Sequence, residues 1–130
     1  MDKIGDFLTR IRNAQQRSSK EIVTDHSILL EEIAKVLKET KFIEDYDVLL
    51  NKGESHKKLF VKIKYEGGQP VISELKRVSK PGVRRHIKYT DIKPVVNGFG
   101  IMILSTSKGV MTGEKAKHSK LGGEILCQIW

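Results

Sequence analysis

Between residues 3 and 16, Ile4, Phe7, Leu8, Ile11 and Ala14 recur three or four apart, which predicts a helix with one apolar stripe. Lys3, Arg10 and Arg17, each seven apart, share another face of it, with Asn13 close by. A short strand is expected over 21–24. A second helix is expected over 28–40: Leu30, Ile33, Ala34 and Leu37 form its core stripe, and Leu29 and Val36 widen it. Ser27, just ahead, can accept a hydrogen bond from an orphan amide of the first turn. The period then changes to two. A strand over about 42–50 precedes LFVKIKY, where Leu59, Val61, Ile63 and Tyr65 alternate with Lys62 and Lys64. That alternation predicts a strand buried on one side.

The paired glycines and proline of EGGQP, residues 66–70, interrupt any regular element and place a domain boundary there. The expected domains are 1–66 and 71–130. Beyond the boundary the pattern predicts short strands at about 71–77, 84–89, 99–105 and 124–130. SKPG (79–82) and NGFG (97–100) punctuate them as turns, and Thr112 is placed to cap a short helix to about Lys120. The fold class is therefore α+β. The amino-terminal domain runs helix–strand–helix–strand–strand, and the carboxy-terminal one is mostly antiparallel β with a short helix.

Charge sharpens this division. The chain of 130 residues carries a formal +8, but the eleven Lys/Arg and two acids between Lys76 and Lys120 alone give +9, leaving −1 for the rest. A surplus confined to one half points to a polyanion, nucleic acid ahead of an anionic membrane surface. No apolar run approaches the ~20 residues of a membrane span. The opening MDKIGDF has neither the apolar core of a secretory signal nor the composition of a transit peptide. The single cysteine, Cys127, forms no internal disulfide. It falls on the same strand face as Ile125 and Ile129, as a small core residue would.

The carboxy end holds the most suggestive chemistry. In GFGIMILSTSKGVMTGEK an apolar run, Ile101 to Leu104, stops at three consecutive hydroxyls, Ser105, Thr106 and Ser107, with Lys108 next. A serine nucleophile needs an oriented base, and none of His26, His56, His86 or His118 has a triad context. GVMTGEK is not a phosphate loop. Such a loop ends in Gly-Lys-Ser/Thr, whereas here Glu114 follows Gly113 and suits a helix dipole instead. NGFGIMIL echoes the strand of an RNA-recognition motif, but the base-stacking positions hold Ile101 and Leu104, leaving Phe99 alone. That segment reads as core.

Polar readout remains. Hydroxyls in a tight loop can meet base edges, ribose hydroxyls or phosphates. Gly122 and Gly123 permit close backbone approach ahead of the last strand, and Glu124 can either accept from a base amino group or serve as a simple strand-end charge. The two segments form one site only if their strands run antiparallel, with the helix between them an elaborated hairpin loop. Alternation sends Arg84, His86 and Lys88 to one face of another strand, as an RNA-facing edge or as a charged edge that blocks aggregation. A basic adaptor for an acidic protein is the competing non-enzymatic class.

At these residues the sequence resembles a family, the bacterial-type small-subunit ribosomal protein eight. DFLTRIRNA (6–14), EEIAKVLKE (31–39), FIEDY (42–46), SKPG (79–82), NGFGI (97–101), ILSTSKGVMT (103–112) and GGE (122–124) carry the resemblance, in order, over nearly the whole chain. It implies a ribosome component without catalysis or cofactor, in the cytoplasm or in an organelle. It implies primary binding to an irregular stem in the central domain of small-subunit ribosomal RNA, assembly beside other subunit proteins, notably protein five, and repression of its own messenger RNA. Ser105, Thr106, Ser107 and Lys108 match the family's RNA loop, and Gly122, Gly123 and Glu124 its partner loop. Lys3, Thr9, Arg12 and Asn13 on the first helix match a second contact area. The chain departs from the family at Lys3, where proline is usual, at His86, where many members carry tyrosine, and at Arg85, where an apolar residue is typical.

Overall fold

The computed structural model describes residues 2–130. The chain divides into two compact units: Thr9–Ile72, and the residues up to Leu8 together with Ser73–Trp130. The first helix, α1 (Lys3–Gln16), spans the division. Its stripe of Ile4, Phe7, Leu8, Ile11 and Ala14 is buried throughout.

The unit Thr9–Ile72 continues with β1 (Glu21–Asp25), α2 (Ile28–Glu39), β2 (Ile43–Leu49) and β3 (Lys58–Ile63). The three strands form an antiparallel sheet in the order β1-β3-β2, with Val61 opposite both Ile22 and Tyr46. The alternation of β3 works as its sequence suggests: Leu59, Val61 and Ile63 are buried, as are Leu30, Ile33, Ala34 and Leu37 of α2. Burial of such side chains stabilises by about 1.5–3 kcal/mol each. The Ser27 hydroxyl accepts from the Leu30 amide at 3.1 Å and starts α2.

The EGGQP segment is a hairpin and not a bare interruption. β4 (Tyr65–Glu66) pairs with β5 (Gln69–Pro70) across Gly67 and Gly68, whose φ values of +59° and +79° need residues without a side chain. Tyr65 does not simply extend β3. It turns into this hairpin and donates its hydroxyl to the Ser19 carbonyl at 2.6 Å.

The carboxy-terminal sheet contains β6 (Leu75–Arg77), β7 (His86–Ile87), β8 (Ile101–Thr106), β9 (Gly109–Thr112) and β10 (Gly123–Ile129). The order is β6-β10-β8-β9, with β7 also on β10, and every pairing is antiparallel. Two expected strands are shorter than their sequence suggests. Residues 71–74 stay out of the 71–77 strand, because the Val71 amide turns back to Lys64 and Ser73 and Glu74 both donate to the Trp130 carbonyl. The 84–89 segment keeps only His86–Ile87, because β10 begins at Gly123 and supplies no partner beyond Ile87. Tyr89–Asp91 then tightens into a 3-10 turn.

β9 is an addition to the expected elements. It folds directly back on β8, with Ile103 opposite Thr112. Thr112 then caps α3 (Gly113–His118), its hydroxyl accepting from the Lys115 amide at 3.2 Å. Ile92, Met102, Leu104, Met111 and Ala116 pack into one cluster under this helix. Gly113 leaves the room that α3 needs, since a side chain there would meet Ile92 and Met102 at 3.2 and 3.3 Å. Cys127 is fully buried, and burial pushes its thiol up to about 12, as befits a core residue. Phe99 departs from the core reading: its side chain is 82% exposed on the turn ahead of β8.

Candidate RNA interface

The site grows from one register. Antiparallel pairing places Glu124, early in β10, opposite Ser105, late in β8. The condition set by the sequence, that Ser105–Ser107 and Gly122–Glu124 share a site only between antiparallel strands, is met. The chain between them, β9 and α3, is the elaborated connection.

Glycine is required where these segments meet. A methyl group at Gly123 would collide with the Ser105 carbonyl oxygen and press on Thr106 Cγ2 at 3.2 Å. One at Gly122 would lie 2.6 Å from the Ile87 carbonyl oxygen and 3.3 Å from Lys88 Cα. Three chain segments, the ends of β7 and β8 and the start of β10, therefore converge to backbone contact. Around this corner stand Ser105 and Thr106, half-buried, and Ser107 and Lys108, exposed.

The hydroxyls are not equivalent. Thr106 Oγ1 donates to the Gly109 carbonyl at 2.8 Å and accepts from the Lys108 amide at 3.2 Å. Its side chain closes the β8–β9 turn and so holds Ser107 and Lys108 at the tip. Gly109 completes the turn at φ +110°. Within the row of three hydroxyls, Thr106 thus also holds the turn, flanked by Ser105 and Ser107.

The basic strand lies beside this corner. Arg84, His86 and Lys88 are exposed, and His86 faces Glu124 across the ladder. Ile87, from the alternate set, packs on the apolar cluster beneath. Arg85, in that same set, is exposed at its side chain but accepts from the Ile125 amide at 2.9 Å through its carbonyl.

Sequence reasoning missed Ser79. It is fully buried at the foot of the turn that pairs Lys80 with Val83. Its hydroxyl donates to Glu124 Oε2 at 2.5 Å and accepts from the Arg85 amide at 3.1 Å. Arg84 Nη1 donates to the same Oε2 at 3.1 Å. The Ser79 bond foremost, with Arg84 and the nearby His86, holds the Glu124 carboxyl below its usual range despite partial burial. A serine ahead of Lys-Pro-Gly signals a turn; nothing in the sequence ties it to an acid 45 residues on.

The helix residues lie apart in the chain and are carried on α1. Lys3 opens the helix, and Thr9, Arg12 and Asn13 follow at spacings that share a face. Lys3, Thr9 and Asn13 are exposed and Arg12 is half-buried. Among the described residues no group of His, Cys, Asp and Glu is arranged to hold a metal ion, and no helix is long and apolar enough to cross a membrane.

Comparison with known proteins bears on this corner. Residues 2–130 match the family model described as ribosomal protein S8. The chain is 50% identical over 129 residues to a protein of Nitratidesulfovibrio vulgaris named "Small ribosomal subunit protein uS8", across 99% of this chain and 98% of that one. Proteins of the same name from Mesoplasma florum and Persephonella marina are 47% and 44% identical over the same shares.

Proposed function

The chain belongs to the ribosomal protein S8 family, and from that premise we propose that it is a structural constituent of the small ribosomal subunit that binds small-subunit ribosomal RNA directly. It is not an enzyme; its work is recognition and assembly. The carboxy-terminal domain, 71–130, carries the main contact. One observation supports this above the others: the Glu124–Ser105 register sets two backbone-tight loops side by side within a basic surface.

Such a corner suits RNA. An A-form stem hides its major groove and displays ribose hydroxyls and base edges in a shallow minor groove. Short side chains on a close-approaching backbone reach that surface. Ser105, Thr106, Ser107 and Lys108 meet it from one side, and Gly122, Gly123 and Glu124 from the other. The exposed cation Lys88, with Lys108, gives affinity through counterion release, Arg84 and His86 add contacts to an RNA that fits, and the loops give choice. Lys3, Thr9, Arg12 and Asn13 form a second contact on α1. The target is an irregular stem in the central domain of the subunit RNA. The leader of the protein's own messenger competes for the same corner, and protein five is a neighbour in the assembled subunit.

Titrating a central-domain RNA fragment and an unrelated duplex over a range of salt tests the reading. Ser107→Ala should weaken the specific complex by about 1 kcal/mol, the worth of one hydrogen bond, and leave the salt slope unchanged. Lys88→Ala should make the slope shallower by about 0.9 on both RNAs. Equal affinity of the wild-type protein for the two RNAs would defeat the proposal.

A further inference from the structure

Glu124 is out of place on a surface that binds phosphates. A carboxylate among cations lowers attraction for every phosphate that approaches. Yet this one is held firmly. Its Oε2 takes a bond from Ser79 at 2.5 Å and a second from Arg84 at 3.1 Å. Ser79 cannot turn away. It is fully buried, its hydroxyl also accepts from the Arg85 amide, and its own amide donates to the Ile125 carbonyl at 3.0 Å. The carboxylate is fixed from below, and the exposed Arg84 guanidinium is fixed by the carboxylate.

We propose that Ser79 and Glu124 form a specificity clamp, which withholds Arg84 from arbitrary phosphates and releases it only to an RNA that fits the corner. The inference rests on the RNA reading above and adds to it the group that decides between targets. An arginine whose charge is neutralised by a carboxylate displaces no counterion from a passing duplex, so it adds nothing to non-specific affinity. An RNA seated against Ser105–Lys108 and Gly122–Gly123 brings its own acceptors within reach of Arg84. Phosphate or a base edge then replaces Oε2 as a bidentate partner. Glu124 stays anchored by Ser79 and does not follow Arg84 outward. Ser79 and Glu124 are thus positioning residues that act through Arg84.

The experiment is a double-mutant cycle of Glu124→Gln and Arg84→Gln in the full chain, read as salt slopes on an unrelated duplex and on the central-domain fragment. On the unrelated duplex, Glu124→Gln should steepen the slope by about 0.9, which is about 3.5-fold more affinity lost between 50 and 200 mM salt. Specificity should fall by a similar factor. In the Arg84→Gln background, the same change should leave the slope as it was. Arg84→Gln alone should alter the unrelated-duplex slope by less than ~0.2, yet weaken the specific complex several-fold.

Steepening of equal size with and without Arg84 would overturn the clamp, since loss of a negative charge would then suffice. So would no steepening at all, or a full ~0.9 drop on the unrelated duplex from Arg84→Gln alone. Arg84 lies at the surface, so its single variant tests the clamp even if Glu124→Gln disturbs folding. If the wild-type protein fails to prefer the fragment, the RNA reading fails by itself, while the unrelated-duplex cycle still reports on the clamp.

Discussion

On the surface of the Thr9–Ile72 unit, cations meet acids: Lys58 of β3 reaches Asp25 of β1 at 2.6 Å, and Lys38 of α2 reaches Asp45 of β2 at 2.8 Å. At the corner of the carboxy-terminal sheet, Lys88 and Lys108 stand exposed without such a carboxylate among the described residues, and Arg84 shares one with Ser79. Both sheets are antiparallel and apolar on the inside, so folding alone does not call for the difference. The first surface is nearly self-neutralised, while the second keeps its field for a partner. The +9 read between Lys76 and Lys120 is the sequence form of that contrast.

Arg77 offers the strongest way to sharpen it. This cation of the carboxy-terminal unit is structural: its side chain is only 10% exposed, pairs with Asp2 at 3.2 Å, and donates Nη1 to the Leu126 carbonyl. Arg77→Met should cost about 2–3 kcal/mol, because it strips charged hydrogen bonds from partly buried acceptors. Urea unfolding measures this. The RNA salt slope should stay the same, which separates the buried cation from those at the corner.

Gly123→Ala comes next. The methyl meets a backbone oxygen that cannot move without breaking the β8–β10 ladder, so about 1–3 kcal/mol of stability should be lost, and RNA affinity with it. Gly53→Ala in the other unit adds a side chain into open space at φ +87°. It should cost about 1 kcal/mol at most, from backbone strain alone, and leave RNA binding unchanged. A similar loss of RNA affinity from both would break the claim that one corner carries recognition.

The elements and the glycines of the corner show what was legible in advance. Helix stripes and the β3 alternation could be read because burial imposes a period on neighbouring residues. Gly122 and Gly123 could be flagged as close-approach points, because glycine's lack of a side chain is a local fact. The role of Thr106 was not legible: the acceptor of its hydroxyl is the Gly109 carbonyl, and backbone atoms leave no mark in a sequence. Ser79 was hidden for the opposite reason, since its partner Glu124 is distant in the chain and register alone brings them together. β9 was missed because GVMT is too short to show a period, and the β4–β5 hairpin because a glycine pair reads equally as a break or a turn.

Acid should act unequally on the two regions. Burial would raise the Asp2 carboxyl, but the Gly5 amide and Arg77 outweigh it and hold it below its ordinary 3.8. Glu124 is likewise held below 4.5, chiefly by Ser79. A depressed carboxyl contributes stability that is fully present above its unfolded value and lost as pH falls through the folded one. Asp25 and Asp45 are depressed too, by Lys58 and Lys38, but at the open surface, where salt screens them. In high salt, Asp2→Asn and Glu124→Gln should flatten the stability–pH profile below pH 4.5, and Asp25→Asn and Asp45→Asn should not. A flatter profile from the latter pair would place real stability on the neutralised surface.

The smallest effect tests that surface directly. Lys38 pairs with Asp45 and sits 5.7 Å from the centre of the Tyr46 ring, so a contact list would credit it with two stabilising interactions. Both partners of the ion pair are more than half exposed at the side chain. Water already solvates each charge there, and holding a long side chain in one geometry costs entropy that offsets the attraction. Lys38→Met keeps much of the stem's apolar contact with the ring and removes only charge. Its unfolding midpoint should match the wild type in low and high salt alike. RNA affinity should not change either, because this cation is matched by an acid of its own unit, Asp45 on β2. A clear loss of RNA affinity from Lys38→Met would mean that paired cations also serve the partner, and the contrast between the two sheets would lose its functional meaning.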